Sequence, residues 1–122
     1  ETRTVPLYAI NPIHPVDNRD STVQATKERE AVIQKHREKI LKGGTVNKEL
    51  FAELLPSLTY VRVTPADKNY YYCFEGNGRI AALKAVFAKT DNLYVEVEVF
   101  TPKKHRRSIK KIEKLRKLHK MV

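Results

Sequence analysis

Residues 70–84 read Tyr-Tyr-Tyr-Cys-Phe-Glu-Gly-Asn-Gly-Arg-Ile-Ala-Ala-Leu-Lys and change character midway. An aromatic run suited to a buried strand stops at Glu75, passes through Gly76-Asn77-Gly78, and resumes as alanine-rich sequence opened by Arg79. Asn77-Gly78 is also the strongest short signal for a hairpin between two strands. The residues that follow decide against the hairpin. Ile80, Leu83 and Phe87 recur at helical spacing, with Ala81, Ala82, Ala85 and Ala88 between them, and alanine favours helix over strand. The spacing therefore predicts a strand, a glycine turn and a helix. Such a junction can hold an anion. Glycines let backbone N–H groups converge, the helix N-terminus adds positive potential, and a guanidinium suits phosphate oxygens. Gly76, Asn77, Gly78 and Arg79 are the candidate phosphate-binding residues. The plainer alternative is that the glycines serve only packing.

The remaining elements follow from local signals. Thr4 to Ile10 alternates into a short strand ending at Asn11-Pro12, and Pro12, Pro15 and Asp17-Asn18-Arg19-Asp20 make a loop. Ser21 or Thr22 can cap one long helix from about Val23 to Lys42, stopped by Gly43-Gly44. Its apolar face is thin: Val32 or Ile33, then Ile40 and Leu41. Asn47 can cap a shorter helix through Leu54-Leu55, ended by Pro56. Thr59–Thr64 and Tyr70–Glu75 read as a hairpin across a turn at Pro65–Asn69. The alanine-rich helix runs to about Lys89, Asp91-Asn92 turns the chain, and Tyr94–Val99 alternates valine with glutamate as a strand with one wet face. Ser108 begins a basic helix with Ile109, Ile112, Leu115 and Leu118 spaced by three. That spacing drifts around a 3.6-residue helix and covers an oblique face.

At 122 residues the chain makes one domain with a real core. No apolar run approaches the roughly 20 residues of a membrane span, and there is no leader-like apolar region. The chain opens at Glu1 without an initiator Met, as a piece of something longer would. The single cysteine cannot pair internally, and no Cys/His spacing suits a metal, so a reducing cytoplasmic compartment is expected. The net charge of +10 is uneven: residues 103–122 carry +9 and residues 1–102 only +1. The chain thus divides into a nearly neutral body, 1–102, and a basic helical tail, 103–122.

This order of elements resembles the ParB/sulfiredoxin-like family over roughly residues 4–100. Members begin with a short strand and a proline-containing loop, here Val5-Pro6-Leu7-Tyr8-Ala9-Ile10 with Asn11-Pro12 and Asp17-Asn18-Arg19. A helix and a hairpin follow, and the second hairpin strand leads into a Gly-X-X-Arg turn, similar to Gly76-Asn77-Gly78-Arg79. Tyr94 to Phe100 matches the closing strand. The resemblance implies an α+β fold, a small mixed β-sheet with flanking helices, here with a basic C-terminal helix added. It also implies a nucleotide or other phosphate ligand, ATP or another NTP with Mg²⁺, and a hydrolase or phosphotransferase type of activity. The family includes nucleotide-hydrolysing DNA-partition proteins, ATP-dependent reductases of oxidised peroxiredoxin, and kinases of free serine. This chain departs from each. Asn77 stands where the reductases place a cysteine, Gly78 where the partition proteins favour a second arginine, and their helix-turn-helix domain has no counterpart within these 122 residues. Asp17 or Asp20 could supply the carboxylate the kinases place near the first loop.

Other candidates have both functional and structural readings. Glu75 beside the turn could hold Mg²⁺ or orient a hydroxyl, or bond the loop backbone. Cys73 between aromatics is expected in the core. His14 could approach a ligand, His36 is expected in solvent, and Tyr70, Tyr71 and Tyr72 could stack a base although alternation sends at least one inward. In the tail, Lys103, Lys104, Arg106, Arg107, Lys110, Lys111, Lys114, Arg116, Lys117 and Lys120 can neutralise a polyanion. No aromatic residue interleaves them, so no stacking platform is indicated. Three functions stay open: a nucleotide-binding domain with or without catalysis, a nucleic-acid-binding module using the tail, and a non-catalytic regulatory or interaction domain.

Overall fold

The computed structural model describes residues 1–13, 20–55, 61–66 and 69–120, excepting the side chains of 20–23. Six strands and five α-helices lie among these residues. In chain order they are β1 (Thr2–Pro6), β2 (Ile10–Pro12), α1 (Asp20–Lys35), α2 (Arg37–Gly43), β3 (Thr45–Val46), α3 (Lys48–Leu54), β4 (Arg62–Pro65), β5 (Tyr71–Glu75), α4 (Asn77–Val86), β6 (Tyr94–Val99) and α5 (His105–Leu118). The expected α+β class, with one small mixed sheet and a C-terminal helix, is the observed one. No described helix is long and apolar enough to cross a membrane.

The sheet runs in the order β1-β6-β4-β5-β2, with β3 also on β6. β1 pairs antiparallel with β6, placing Val5 opposite Val95, and β2 pairs parallel with β5, placing Ile10 opposite Tyr71. β4 is antiparallel to β5 and parallel to β6. Since β1 occupies one side of β6, β3 and β4 share the other in succession. The single strand expected over Thr4–Ile10 is therefore corrected: it is two strands joined by a 3₁₀ turn at Leu7–Ala9. Leu7 and Ala9 are both buried, so the alternation Val5, Leu7, Ala9 survives the change of conformation and hides it.

That corner shapes the sheet. Pro6 and Ile10 are four residues apart, a reach of at most about 14 Å. The outer strands of a flat five-strand sheet would stand about 19 Å apart at the usual spacing. The sheet must curl until one short corner joins its two outer strands. Inside the curl lie Val5, Ile10, Val46, Val63, Cys73, Val95, Val97 and Val99. Helices close the core with Ile33, Ile40, Phe51, Leu54, Ile80, Leu83 and Phe87.

The long helix expected over 23–42 is two helices. It begins at Asp20, so Ser21 and Thr22 fall in its first turn rather than at its cap. At His36 the N–H reaches Ile33 O at 3.1 Å, three residues back, and the helical ladder is interrupted. Ile33 and Ile40, seven residues apart and so on one face, are both buried, and Arg37 lies over the Phe87 ring at 5.7 Å. His36 is half-buried rather than fully solvated. Gly44 then ends α2 at φ 75°, a conformation that favours glycine. Asn47 caps α3 as expected, its Oδ1 accepting from Leu50 N at 2.8 Å.

The alanine-rich helix stops at Val86, short of Lys89, and a 3₁₀ turn covers Lys89–Asp91. In β6 the valines point inward, but the glutamates are not simply wet. Glu96 accepts from Lys48 N at 3.0 Å at the start of α3, and Glu98 pairs with Arg62 at 3.2 Å. Ala66 N bonds Tyr70 O at 2.8 Å across the β4–β5 connection, with Asn69 at φ 66°. Pro56, Thr59 and Tyr60 of the expected helix stop and strand, and Asp67 and Lys68 of this turn, lie outside the described residues.

Candidate anion site at the start of helix α4

The junction expected at residues 75–79 is present. β5 ends at Glu75, Gly76 takes φ 99° as the N-cap of α4, and the helix begins at Asn77. Only glycine adopts that backbone angle without strain, so Gly76 performs the turn. Gly78 lies inside the helix and its φ is not positive. It needs the absence of a side chain for a different reason. A Cβ built on Gly78 would lie 2.6 Å from Nη1 of Arg29, the guanidinium that α1 lays across the first turn of α4.

Arg29 was not among the candidates expected from sequence, and it is the more exposed of the two cations at this turn. It forms no salt bridge among the described residues and is half-exposed. Arg79 lies deeper. It is 4% exposed, and its guanidinium sits over the Phe51 ring at 5.9 Å. Desolvation, and next the charge of Arg29, pull the Arg79 pKa below the ordinary arginine value, while Glu75 partly offsets this. Two guanidinium groups thus meet at the positive end of a helix, where the first-turn N–H groups have no intrahelical acceptor. Chemically this is an arrangement for an oxyanion.

Glu75 borders the turn, but its carboxylate pairs with Arg62 Nη1 at 3.4 Å and is half-exposed. Asn77 faces inward at the join, its Nδ2 donating to Cys73 O at 3.0 Å. This bond ties the last residues of β5 to the start of α4. Asp17 and His14 lie outside the described residues, and α1 begins at Asp20, whose side chain is likewise not described.

Cys73 is fully buried, as expected for a core residue. Its Sγ donates to Glu75 O at 3.1 Å. Burial pushes the thiol pKa from about 9 up to about 12, chiefly through desolvation. A thiol held protonated and out of solvent is no nucleophile. Because the folded pKa is raised, this contribution to stability is complete below about pH 9 and is lost as pH climbs towards 12. Cys73→Ser should destabilise by about 1–3 kcal/mol, the cost of burying a poorly matched hydroxyl, measured by urea unfolding. A thiol reagent should label the wild type only on unfolding, and rapid labelling of the native protein would contradict this placement.

The tyrosines divide as alternation requires. Tyr71 packs against the core and its hydroxyl meets Arg3 Nη1 at 3.3 Å. Tyr72 lies under the guanidinium of Arg116 at 5.1 Å, and Tyr70 is exposed. Tyr8, Asn11, Tyr70, Tyr72, Lys89 and Arg116 line an open groove of about 600 Å³ between the sheet and α5.

α5 begins at His105, three residues before the expected Ser108. Nε2 of His105 donates to Pro65 O at 2.6 Å and anchors the first turn to the end of β4. The anticipated drift of the apolar spacing is visible in exposure. Ile109 and Ile112 are half-buried against the body, Leu115 is 38% exposed, and Leu118 is 72% exposed. Arg116 serves docking, whereas Lys103, Lys104, Arg106, Arg107, Lys110, Lys111, Lys114, Lys117 and Lys120 are exposed.

Comparison with family models, with curated proteins and with solved structures gives no match in any of the three.

Proposed function

We propose that this chain is a ParB/sulfiredoxin-like domain that binds the phosphate of a nucleotide at the start of α4. The ligand sits against the N–H groups of the turn Gly76-Asn77-Gly78, with Arg29 as the accessible cation and Arg79 beneath it. The observation that carries this reading is the Arg29 guanidinium lying on Gly78, at a helix start that already holds Arg79. A guanidinium laid on the positive end of a helix suits an oxyanion. The resemblance gains meaning from the same contact. Gly78 stands where the partition proteins favour a second arginine, and Arg29 brings a second guanidinium to that place from α1.

The reading concerns binding and assigns no catalytic residue. Cys73 is withdrawn into the core, and Glu75 is engaged by Arg62. Among the described residues no three of His, Cys, Asp and Glu gather as a cation site, so no residue is assigned to Mg²⁺.

Calorimetry of the whole chain with ATP, ADP, CTP and inorganic phosphate, with and without Mg²⁺, tests the proposal. Arg29→Ala should weaken the tightest of these by about 1.5–3 kcal/mol, the worth of a hydrogen bond to a charged group. Gly78→Ala should also weaken it, because the new methyl displaces Arg29. It should leave stability unchanged or higher by up to about 1 kcal/mol, since alanine is the better helix former. Absence of binding by the wild type, or equal affinity in all three proteins, overturns the assignment.

A further inference from the structure

We propose that the outward face of α5 is a binding surface for the phosphate backbone of a nucleic-acid duplex. The proposal rests on a different element from the nucleotide site and stands or falls separately. α5 is docked by one side only. His105 bonds Pro65 O, Ile109 and Ile112 are half-buried, and Arg116 covers the Tyr72 ring. At about 100° per residue, Arg106, Arg107, Lys110, Lys111, Lys114 and Lys117 then fall within an arc of about 140° on the opposite side. All six are exposed. They span about 17 Å along the helix axis at the standard rise, against a duplex carrying roughly one negative charge per 1.7 Å.

The observations favour a nucleic acid over a membrane. A helix that lies in a lipid surface must offer an apolar face to bury. Here Ile109 and Ile112 are half-buried on the side that His105 and Arg116 dock, and Leu118 projects alone among the cations. The outward face carries no aromatic residue. Contact is therefore with phosphates rather than with stacked bases, which suits a duplex and predicts little dependence on base sequence. The body offers no comparable field, since residues 1–102 carry a net charge of only +1.

The test uses the full chain and fluorescein-labelled 20-base-pair DNA and RNA duplexes, with anisotropy read between 50 and 200 mM salt. Wild type should bind, with log affinity falling linearly in log salt. The variant Lys110→Ala/Lys111→Ala/Lys114→Ala should reduce that slope by about 3 and lower affinity on the order of 100-fold at 0.15 M salt. Its thermal midpoint and far-ultraviolet circular dichroism should match wild type, because all three lysines are exposed. Arg29→Ala should bind the duplexes as wild type does. The proposal is overturned if wild type binds neither duplex at 50 mM salt. It is overturned equally if the triple variant keeps the wild-type slope while Arg29→Ala loses binding, which would move the surface to α4. Binding to phosphatidylserine vesicles with none to duplexes would make α5 a membrane contact instead.

Discussion

Phe87→Ala should lower the free energy of unfolding by about 3–5 kcal/mol, the range for removing a buried aromatic ring. The ring is 1% exposed, at the point where α4 ends, and residue 87 meets both α2 and the strand corner. Arg37 of α2 lies over its face, and its carbonyl accepts the Tyr8 hydroxyl at 2.7 Å. Removing the ring leaves a cavity where α4 ends and takes away the surface on which Arg37 of α2 lies. Against a usual total of about 5–15 kcal/mol, such a loss would bring the domain near its stability limit. Urea titration followed by circular dichroism measures it. A cost under about 1 kcal/mol would mean that the site collapses readily and that the ring does not hold α2 to the end of α4.

Leu7→Ala should cost about 2–5 kcal/mol, as for other buried leucines. Leu7 is 1% exposed and its N–H donates to Leu93 O at 2.9 Å, so it pins the 3₁₀ corner to the chain entering β6. Tyr8→Phe is the matched control. It keeps the ring under Lys84 and removes only the hydroxyl bonds to Phe87 and Lys84 carbonyls, so about 1 kcal/mol is expected. The gap between the two variants, read from denaturant midpoints, separates the corner's packing from its hydrogen bonding. Equal losses would show that the side chain of Leu7 is not what holds the corner.

What the sequence disclosed was mostly local. The cap at Asn47, the αL stop at Gly44, the turn at Asn92 and the switch from β5 to α4 each depend on a few adjacent residues with strong backbone preferences. Three features depend on partners far along the chain and were not legible. Pro6 is the one local sign of a break between Val5 and Ile10, and it is masked because a 3₁₀ turn of three residues preserves the alternation of buried positions. The break at His36 has no proline or glycine to mark it. His105 looked like one more polar residue in a basic segment, and only Pro65 O makes it an anchor. Arg29 is hidden for a similar reason. It sits four residues before Ile33, on the inward side of α1, and extending the apolar spacing back from Ile33 would have placed a charge facing the body. At the candidate site the order of importance changed: Gly78 was valued for backbone freedom, but its lack of a side chain is what admits Arg29.

The corner at Leu7–Ala9 also imposes a timetable. Among the described residues β1 pairs with β6, some 90 residues later, and β2 with β5, some 60 residues later. During synthesis β1 must therefore wait for residues 94–98, and β2 for residues 71–73, before either can pair. Pairings this distant in sequence carry a large closure entropy, and topologies rich in them acquire their structure slowly. The hairpin of β4 and β5 with the adjoining α4 needs no such wait and is the natural first assembly. The opening strand arrives last and locks what has already formed.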